Sequence, residues 1–331
     1  MERPLVSFCL LFYNHRRWFG TALEAAFAQT YRPLEIVISD DASTDGSPEL
    51  IQDYVSAHAP PDVTVIFNRN EKNLGILANW LKTASLSHGE LIIMAGGDDI
   101  SLSERTERIV SAWLADGKRA VVISHAGYRI DSKGRSLGPL PAPSTKQPLG
   151  ALMAWRRDCY TAFPHEPICP RCVEDVPFAK RALMLGGDEL VIPDRLVKYR
   201  LGSGLTSTLY HHRTPVIKIW HLFLSSLDQV EHDLAAIADR LPPERVEEFR
   251  TTFAFERARA KNHLILVESP SFHERWKAFR QELRMGRING LVFMYAYLLP
   301  RRLGDWVLDA ITRLNQLRRR LSREGRACRG R

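Results

Sequence analysis

Three pairs of neighbouring acidic residues are the features of this sequence best suited to chemistry: Asp40-Asp41, Asp98-Asp99 and Glu174-Asp175. Carboxylates can hold a divalent cation, which would neutralise the charge that develops on a departing diphosphate. A further carboxylate can take the proton from an attacking hydroxyl group. The glycines at positions 96 and 97 would allow a sharp turn just before the second pair.

Taken singly, each pair also has an ordinary structural explanation, which the sequence leaves open. Asp98-Asp99 after two glycines is typical of a surface turn before a helix, and Asp40-Asp41 lies in a turn-forming Ser/Asp/Gly segment. Glu174-Asp175 precedes a predicted helix at Val176–Leu185, where acids are stabilised by the helix dipole without any other role.

The elements that must position these pairs alternate between strand-like and helix-like patterns. Strands are predicted at Val6–Phe12, Leu34–Ser39, Val63–Phe67, Glu90–Ala95 and Ala120–Ser124, and helices at Trp18–Ala28, Ser47–Ala57, Leu74–Leu86 and Ser103–Ala115. This alternation predicts an α/β fold with a doubly wound, mostly parallel sheet flanked by helices. Ligands of such sheets bind at the carboxyl ends of the strands, where the first two acidic pairs lie.

The second half of the chain has a different character. A Pro/Gly-rich connection covers residues 138–150, and long helical patterns rich in Leu, Arg and Glu begin at about Pro215. We therefore expect a first domain at residues 1–210, which holds the three acidic pairs. Residues 211–331 are expected to form a helical, basic C-terminal appendage.

Five segments follow one another in an order that is more specific than any one of them: VSFCLLFYN, QTYRPLEIVISDDASTDGS, NEKNLGILANW, GELIIMAGGDD and VEDVPFAKRALMLG. Together they resemble the motif set of the family 2 glycosyltransferases, which have the GT-A fold. The resemblance extends over about Pro4 to Ser207.

The resemblance implies a nucleotide-sugar donor and a divalent cation, Mn²⁺ or Mg²⁺. It implies that Asp99 binds the metal and that Asp175 is the base of an inverting single displacement, with Glu174 positioning the acceptor or the base. The residues implied for the nucleotide sugar are Phe12, Tyr13, Asp40, Asp41, Asn73, Gly75, Asp98 and Arg200.

Two departures from the family pattern concern the metal site. Gly97-Asp98-Asp99 lacks the spaced carboxylates of the usual DXD motif, and Gly202 stands where the family often has His. We name His211 as a further metal candidate. A solvated histidine pair, His211 with His212, stays the alternative.

The charge of the chain is concentrated at its end. The formal net charge is +8, and residues 301–331 contain 10 Arg and 3 acids, which gives 10 − 3 = +7. A basic tail on a nearly neutral body indicates an anionic membrane surface and argues against nucleic acid as a partner. An apolar stripe from Leu303 to Leu321 fits either interfacial binding or packing on the catalytic domain.

The rest of the composition suits a cytoplasmic protein, and the basic tail allows a peripheral position on the inner face of the plasma membrane. The first apolar stretch, Leu5–Tyr13, lacks the features of a signal peptide, and no transmembrane span is predicted. Five scattered cysteines favour a reducing compartment. Cys159, His165, Cys169 and Cys172 could close a zinc site, but their spacing favours ordinary thiols.

The sequence thus predicts an inverting glycosyltransferase that transfers a sugar to a glycan, lipid-linked or other acceptor hydroxyl in polysaccharide or lipopolysaccharide biosynthesis. A sugar nucleotidylyltransferase is the first alternative, but it should carry a Gly-rich loop where residues 12–17 read FYNHRR. A non-catalytic sugar- or membrane-binding relative is the second. The presence of Asp41, Asp99 and Asp175 together argues against it.

Overall fold

The computed structural model describes residues 3–166, 168–169, 172–202, 213–285, 297–299, 303–304 and 307. The chain divides into two compact units. One contains Met1–Leu205 and Ser225–Phe249, and the other contains Thr206–Leu224 and Arg250–Arg331. The domain boundary expected near residue 210 lies outside the described residues.

The first unit begins with four parallel strands in the order β3-β2-β1-β4, which are β1 Val6–Phe12, β2 Leu34–Asp40, β3 Thr64–Arg69 and β4 Leu91–Gly96. Every residue of the central strands β1 and β2 is buried, because helices cover both faces of a parallel sheet. These helices are α1 Phe19–Phe27, α2 Ser47–His58, α3 Ile76–Ser85 and α4 Arg105–Ala115. The predicted alternation is confirmed to within a few residues.

The rest of the sheet is mixed, and it contains β5 Ile100–Ser101, β6 Ala120–Ile130, β7 Ser136–Leu140, β8 Met153–Arg156 and β9 Asp188–Arg200. β8 lies antiparallel between β4 and β6, whereas β9 runs parallel to β6 and antiparallel to β5. The connection from β6 to β8 holds strand β7 and one 3₁₀ turn, Gly150–Leu152, and no long crossover helix. The chain therefore returns antiparallel at this point.

The start of α4 differs from the prediction. In the sequence, Ser103-Glu104-Arg105-Thr106-Glu107 resembles a capping box and so predicts a helix start closed by its own side chains. In the structure Glu104 occupies the N-cap position, and its side chain makes no capping bond. Gln29, from a distant part of the chain, caps the helix instead: its Oε1 accepts from the Thr106 N–H at 3.0 Å and from the Thr106 hydroxyl at 2.7 Å. The capping-box prediction is wrong because a long-range partner satisfies the helix end.

A buried ion pair anchors the helix that carries the third acidic pair. After the short helix α5, Asp158–Thr161, helix α6 spans Asp175–Met184, close to its predicted bounds. Arg181 donates from Nε to Asp233 Oδ2 at 2.6 Å and from Nη2 to Oδ1 at 2.9 Å, and both side chains are fully buried. Asp233 lies in α7, Arg213–Ile237, so α6 is fixed to that part of α7.

The second unit is helical and has its own small core. Helix α8 spans Pro243–Glu268 and helix α9 spans Phe272–Arg284. The buried apolar residues of this core are Leu266, Val267, Ala278, Phe279, Tyr297 and Leu298. Of the helices that the structure describes, none combines the length and apolar character needed to span a membrane. Most of the predicted apolar stripe from Leu303 to Leu321 lies outside the described residues.

Candidate active site

The turn after β4 carries the second acidic pair and fits closely against the end of β1. The Gly97 N–H donates to the Leu11 carbonyl at 2.8 Å. A Cβ atom at Gly97 would lie 2.3 Å from the Phe12 ring and 2.8 Å from His15 Nδ1. Only glycine therefore allows this approach, which brings Asp98 beside the aromatic residues that follow β1.

Asp99 is buried and oriented by the backbone of a distant strand. Its Oδ1 accepts from the Arg200 N–H at 2.7 Å. Burial, followed by the negative charge of Asp98, holds the pKa of Asp99 well above its usual range. The pair therefore concentrates negative charge in a poorly solvated place, and such a hard-oxygen donor set suits a divalent cation.

The Arg200 side chain fastens the same turn. Its Nε donates to the Asp98 carbonyl at 2.7 Å and its Nη1 to the Asp131 carbonyl at 3.0 Å. The guanidinium lies 5.5 Å from the centre of the Trp18 ring. Arg200 thus lies at the turn that carries Asp98-Asp99. Much of its hydrogen-bonding capacity is used by backbone carbonyls.

Asp41 contacts the loop before α3 that holds Asn73 and Gly75, and the role of these three residues in donor binding stays a prediction. Asp41 Oδ1 accepts from the Leu74 N–H at 2.8 Å and from Asn70 Nδ2 at 3.0 Å, while Oδ2 accepts from the Gly75 N–H at 3.0 Å. Asn73 Oδ1 accepts from the same Gly75 N–H. Gly75 has φ +86 and ψ 163, a conformation that essentially only glycine adopts. Asp41 therefore shapes the loop that leads into α3.

The other residues expected to bind the nucleotide sugar lie at the ends of β1 and β2. Phe12 is buried, and Tyr13 is 47% exposed. Asp40 is fully buried and its two oxygens accept from the N–H and hydroxyl groups of Ser43. Burial raises the pKa of Asp40. Asp40 is thus engaged in its own turn, and its role in donor binding stays a prediction.

Sequence reasoning missed two residues that face the turn after β4. His15 lies edge-on to the rings of Phe12 and Trp18, with centroids 6.2 and 6.3 Å away. His15 Nδ1 and Trp18 Nε1 are buried and have no hydrogen-bond partner among the described residues. Burial lowers the pKa of His15, although the charge of Asp98 opposes this shift. The polar aromatic residues in FYNHRRW were the available signal.

Gly150 lies between the third acidic pair, Glu174-Asp175, and strand β4. The Gly150 N–H donates to Asp175 Oδ1. A Cβ atom at Gly150 would lie 2.6 Å from both Asp175 Oδ1 and Met94 Cε, and 3.0 Å from Glu174 Oε1. Since Met94 belongs to β4, the amino end of α6 is adjacent to the strand that leads into Asp98-Asp99.

Glu174 and Asp175 are neighbouring buried carboxyl groups that affect each other's pKa. Burial raises the pKa of both groups, and the charge of Asp175 raises that of Glu174 further. For Asp175, hydrogen bonds from Gly150 and Glu174 oppose the effect of burial. Glu174 Oε2 is buried without a hydrogen-bond partner among the described residues. The two acids can therefore share a proton, with Asp175 as the group that ionises more readily.

Arg105 connects the elements around these acids, and the sequence reasoning missed it too. Its side chain is fully buried and donates from Nη2 to the carbonyls of Met94 and Ala151, at 2.9 and 2.8 Å. It also donates from Nη1 to Ser101 Oγ and from Nε to His125 Nε2, both at 3.0 Å. Burial lowers its pKa to about 9. The signal was an arginine in register with the apolar face of α4, four residues before Ile109.

Other predicted ligands are not brought into this site by the described residues. His211 and its neighbour His212 lie outside the described part of the chain. Within that part, no group of three or more His, Cys, Asp or Glu side chains is placed to hold a metal ion. The thiols of Cys159 and Cys172 contact the Val121 carbonyl and the Ser226 hydroxyl, respectively.

Comparison with known sequences places a likeness at the same part of the chain. Residues 7–163 are similar to the family described as glycosyl transferase family 2. The segment holds β1 to β4, the first two acidic pairs and Gly150, so the family match and the site geometry cover the same strand ends.

Three similar proteins have glycosyltransferase names. This chain is 34% identical to Bacillus subtilis EpsE, named as a glycosyltransferase, over 42% of this chain and 50% of the relative. It is 35% identical to the abequosyltransferase RfbV of Salmonella typhimurium, over 33% of this chain and 32% of the relative. It is 29% identical to the cholesterol galactosyltransferase of Borreliella burgdorferi, over 48% of this chain and 42% of the relative. The chain thus matches at most about half the length of these relatives.

Solved structures show that this chain has the GT-A fold. The mannosyltransferase PcManGT from Pyrobaculum calidifontis, in complex with GDP-Man and Mn²⁺, superposes with a TM-score of 0.56 at 17% identity, covering 93% of this chain and 88% of PcManGT. S. aureus TarS in complex with UDP-GlcNAc gives a TM-score of 0.52 at 15% identity, covering 94% and 92%. The predicted fold class is confirmed.

Proposed function

We propose that this protein is an inverting, metal-dependent glycosyltransferase that uses a nucleotide-diphosphate sugar as donor. The observation that carries the proposal is the contact of Gly150 with both Met94 and Asp175, which sets the Glu174-Asp175 pair beside the strand leading into Asp98-Asp99. A candidate base and a candidate diphosphate site are therefore neighbours. Single displacement at an anomeric carbon requires that arrangement.

Asp175 is assigned the role of general base. It would accept the proton of the acceptor hydroxyl while that oxygen bonds to the anomeric carbon, and the bond from this carbon to the diphosphate breaks with its electron pair on the leaving group. Glu174, whose pKa is raised well above its usual range, would keep its proton and hold Asp175 by a hydrogen bond. The sugar then leaves with inverted configuration because one displacement occurs.

The donor would lie at the ends of β1, β2 and β4. Phe12 and Tyr13 would border the nucleobase, and the loop shaped by Asp41, Asn73 and Gly75 would face the nucleoside. Three further side chains line the approach to the turn after β4, namely Asp98, Arg200 and His15. GDP-Man and UDP-GlcNAc are bound by the two related structures, which supports a donor of this class.

Asp99 and Asp98 would hold the divalent cation, Mn²⁺ or Mg²⁺. The burial of Asp99 and its repulsion by the charge of Asp98 fit a site that gains from a bound cation. The cation would neutralise negative charge on the leaving diphosphate, whose oxygens could complete its coordination. The Mn²⁺ complex of PcManGT supports this assignment.

For the acceptor we propose a glycan or lipid-linked hydroxyl in the assembly of a cell-envelope polysaccharide or lipopolysaccharide. The names of the abequosyl- and cholesterol galactosyltransferase relatives support a glycoconjugate or lipid acceptor. The +7 charge of residues 301–331 supports peripheral contact with an anionic membrane on its cytoplasmic side.

A donor screen tests the proposal. Thermal shift against UDP-, GDP- and dTDP-sugars, each with Mn²⁺ and with EDTA, should reveal one donor class that stabilises the protein only with metal. Asp175→Asn should still be stabilised by that donor, and it should lose turnover. Stabilisation by no nucleotide sugar, or wild-type turnover in Asp175→Asn, would contradict the proposal.

A further inference from the structure

Helix α9 exposes an apolar stripe in a unit that is remote in sequence from the family motifs. Phe272, Trp276 and Leu283 are 60%, 42% and 44% exposed. At 3.6 residues per turn, the three positions fall within about 40° around the helix axis. The Phe272 and Trp276 rings stack with centroids 6.4 Å apart. They thus form one continuous apolar surface and not scattered exposed side chains.

The stripe adjoins the face by which α9 packs in its own unit. Ala278, Phe279 and Glu282 are buried in the sector from about 240° to 340° around the axis from Phe272, where Phe279 joins the core with Leu266. The Trp276 ring stacks on the edge of this core, with its centroid 5.7 Å from that of Phe279. The core-forming residues of the helix are therefore already satisfied. The exposed stripe remains available for a partner outside the unit.

Basic residues flank the stripe along one side. Lys277, Arg280 and Arg284 are exposed and occupy the sector from about 80° to 140° around the axis from Phe272. Within the described part of the chain, none of the three forms an ion pair. The exposed acid of α9, Glu274, lies away from this sector and accepts from the Ser269 hydroxyl.

We infer that this surface, the α9 face, docks on an anionic lipid bilayer. We define the α9 face as Phe272, Trp276, Leu283, Lys277, Arg280 and Arg284. Aromatic and leucine side chains beside a row of cations match the boundary between acyl chains and anionic headgroups. The same electrostatic attraction acts on the Arg-rich residues 301–331, so a diffuse anionic surface suits both better than a single acidic pocket.

Vesicle sedimentation of the full-length chain tests the inference independently of catalysis. The wild-type protein should bind phosphatidylcholine vesicles that contain phosphatidylglycerol and bind pure phosphatidylcholine weakly. Combined Phe272→Ser, Trp276→Ser and Leu283→Ser should weaken binding by roughly tenfold or more. Combined Lys277→Glu, Arg280→Glu and Arg284→Glu should abolish the preference for phosphatidylglycerol.

Phe255→Ser is the matched control, because Phe255 is 44% exposed on α8 and lies outside the α9 face. It should bind vesicles as the wild type does, and all variants should keep the wild-type melting temperature. Unchanged vesicle binding in both triple variants would overturn the inference and assign binding to another segment. A wild-type dimer that the apolar triple variant converts to a monomer would overturn it too, since the α9 face would then bind a second copy.

Discussion

The backbone N–H of Arg200 donates to Asp99 Oδ1 at 2.7 Å, across 101 positions of sequence. It joins the end of β9 to the turn after β4, so the carboxylate is oriented before any ligand arrives. Because the donor is backbone, an asparagine at position 99 can accept the same bond. The position of this side chain and its charge can therefore be tested separately.

Asp99→Asn should make the metal-free protein more stable while it weakens metal-dependent donor binding. The pKa of Asp99 is raised in the folded state, so the folded chain binds more protons than the unfolded chain between the ordinary and the raised value. The stability that protonated Asp99 contributes is thus lost as the pH rises from the ordinary to the raised pKa. At neutral pH the negative charge of Asp99 therefore destabilises the folded state. Melting temperatures with and without Mn²⁺ and donor at neutral pH measure both effects.

Asp116→Asn is the control for the sign of that effect. Asp116 accepts from the Ala120 N–H at 2.8 Å and from Arg119, and these bonds lower its pKa. Its ionised form contributes stability at neutral pH, so the amide should lower the melting temperature and leave donor binding unchanged. A lower melting temperature for Asp99→Asn as well would show that the Asp99 charge is already compensated.

Replacing Arg105 should disturb the whole site, because its side chain donates to the carbonyls of Met94 and Ala151. These two carbonyls belong to separate segments that border the site. Arg105→Met leaves several buried acceptors without a donor and should cost about 2–5 kcal/mol of folding free energy. Arg108→Lys is the matched control on the same helix. Arg108 forms a surface ion pair with Asp194, so Arg108→Lys should lower the folding free energy by less than about 1 kcal/mol.

Denaturant unfolding measures this difference, and turnover shows whether Arg105 positions the site. Arg105→Lys keeps the charge and loses the planar fork, so it should fold better than Arg105→Met and still turn over more slowly than the wild type. Equal turnover of Arg105→Lys and wild type would assign Arg105 to folding alone.

Gly97→Ala should weaken donor binding by altering Phe12. The new Cβ would lie 2.3 Å from the Phe12 ring, which is buried and has little room to move. We expect about 1–3 kcal/mol of destabilisation from this overpacking. Gly20→Ala in α1 is the control, since no atom lies within 4 Å of its added Cβ and alanine favours the helix. Donor titration of both variants separates a local effect from a general one.

Much of the fold was predictable because the first half of the chain obeys local rules. Strands β1 to β4 are short apolar runs between helical patterns, and their parallel order follows from that alternation. The mixed half was not predictable in the same way. Strand β6 continues six residues past Ser124, through His125 and Arg129, because β7 and β9 pair with it. Such pairing is a long-range property that local hydrophobicity does not reveal.

The candidate site, too, was predictable from local sequence only in part. The acidic pairs were recognisable because Asp40-Asp41 and Asp98-Asp99 follow predicted strands and Glu174-Asp175 precedes a predicted helix. Arg105, His15 and Gly150 were missed, since their importance lies in which distant atoms they approach. Spacing along the chain cannot show that Gly150 meets both Met94 and Asp175. Only the packed sheet brings these elements together.

The Glu174-Asp175 pair gives the sharpest test of the proposed chemistry. Asp175→Asn keeps an acceptor for the Gly150 N–H and removes a buried charge, so stability at neutral pH should be unchanged or higher. Loss of the base should lower kcat by about 10²–10⁴-fold. Glu174→Gln keeps a hydrogen-bond donor for Asp175, so its kcat should stay within about tenfold of the wild type.

The pH profile separates the two acids. Activity needs ionised Asp175, and burial raises the pKa of this group. The wild-type kcat should therefore fall on the acid side at a pH above the ordinary aspartate pKa of about 4. Glu174→Gln keeps a neutral hydrogen-bond donor to Asp175, the interaction that lowers the pKa of Asp175 in the wild type, so the acid limb should stay close to its wild-type position. An acid limb that moves to lower pH in Glu174→Gln would mean that Glu174 is ionised in the wild type and repels the charge of Asp175. Glu174 would then not hold the proton, and its role would be to position the acceptor.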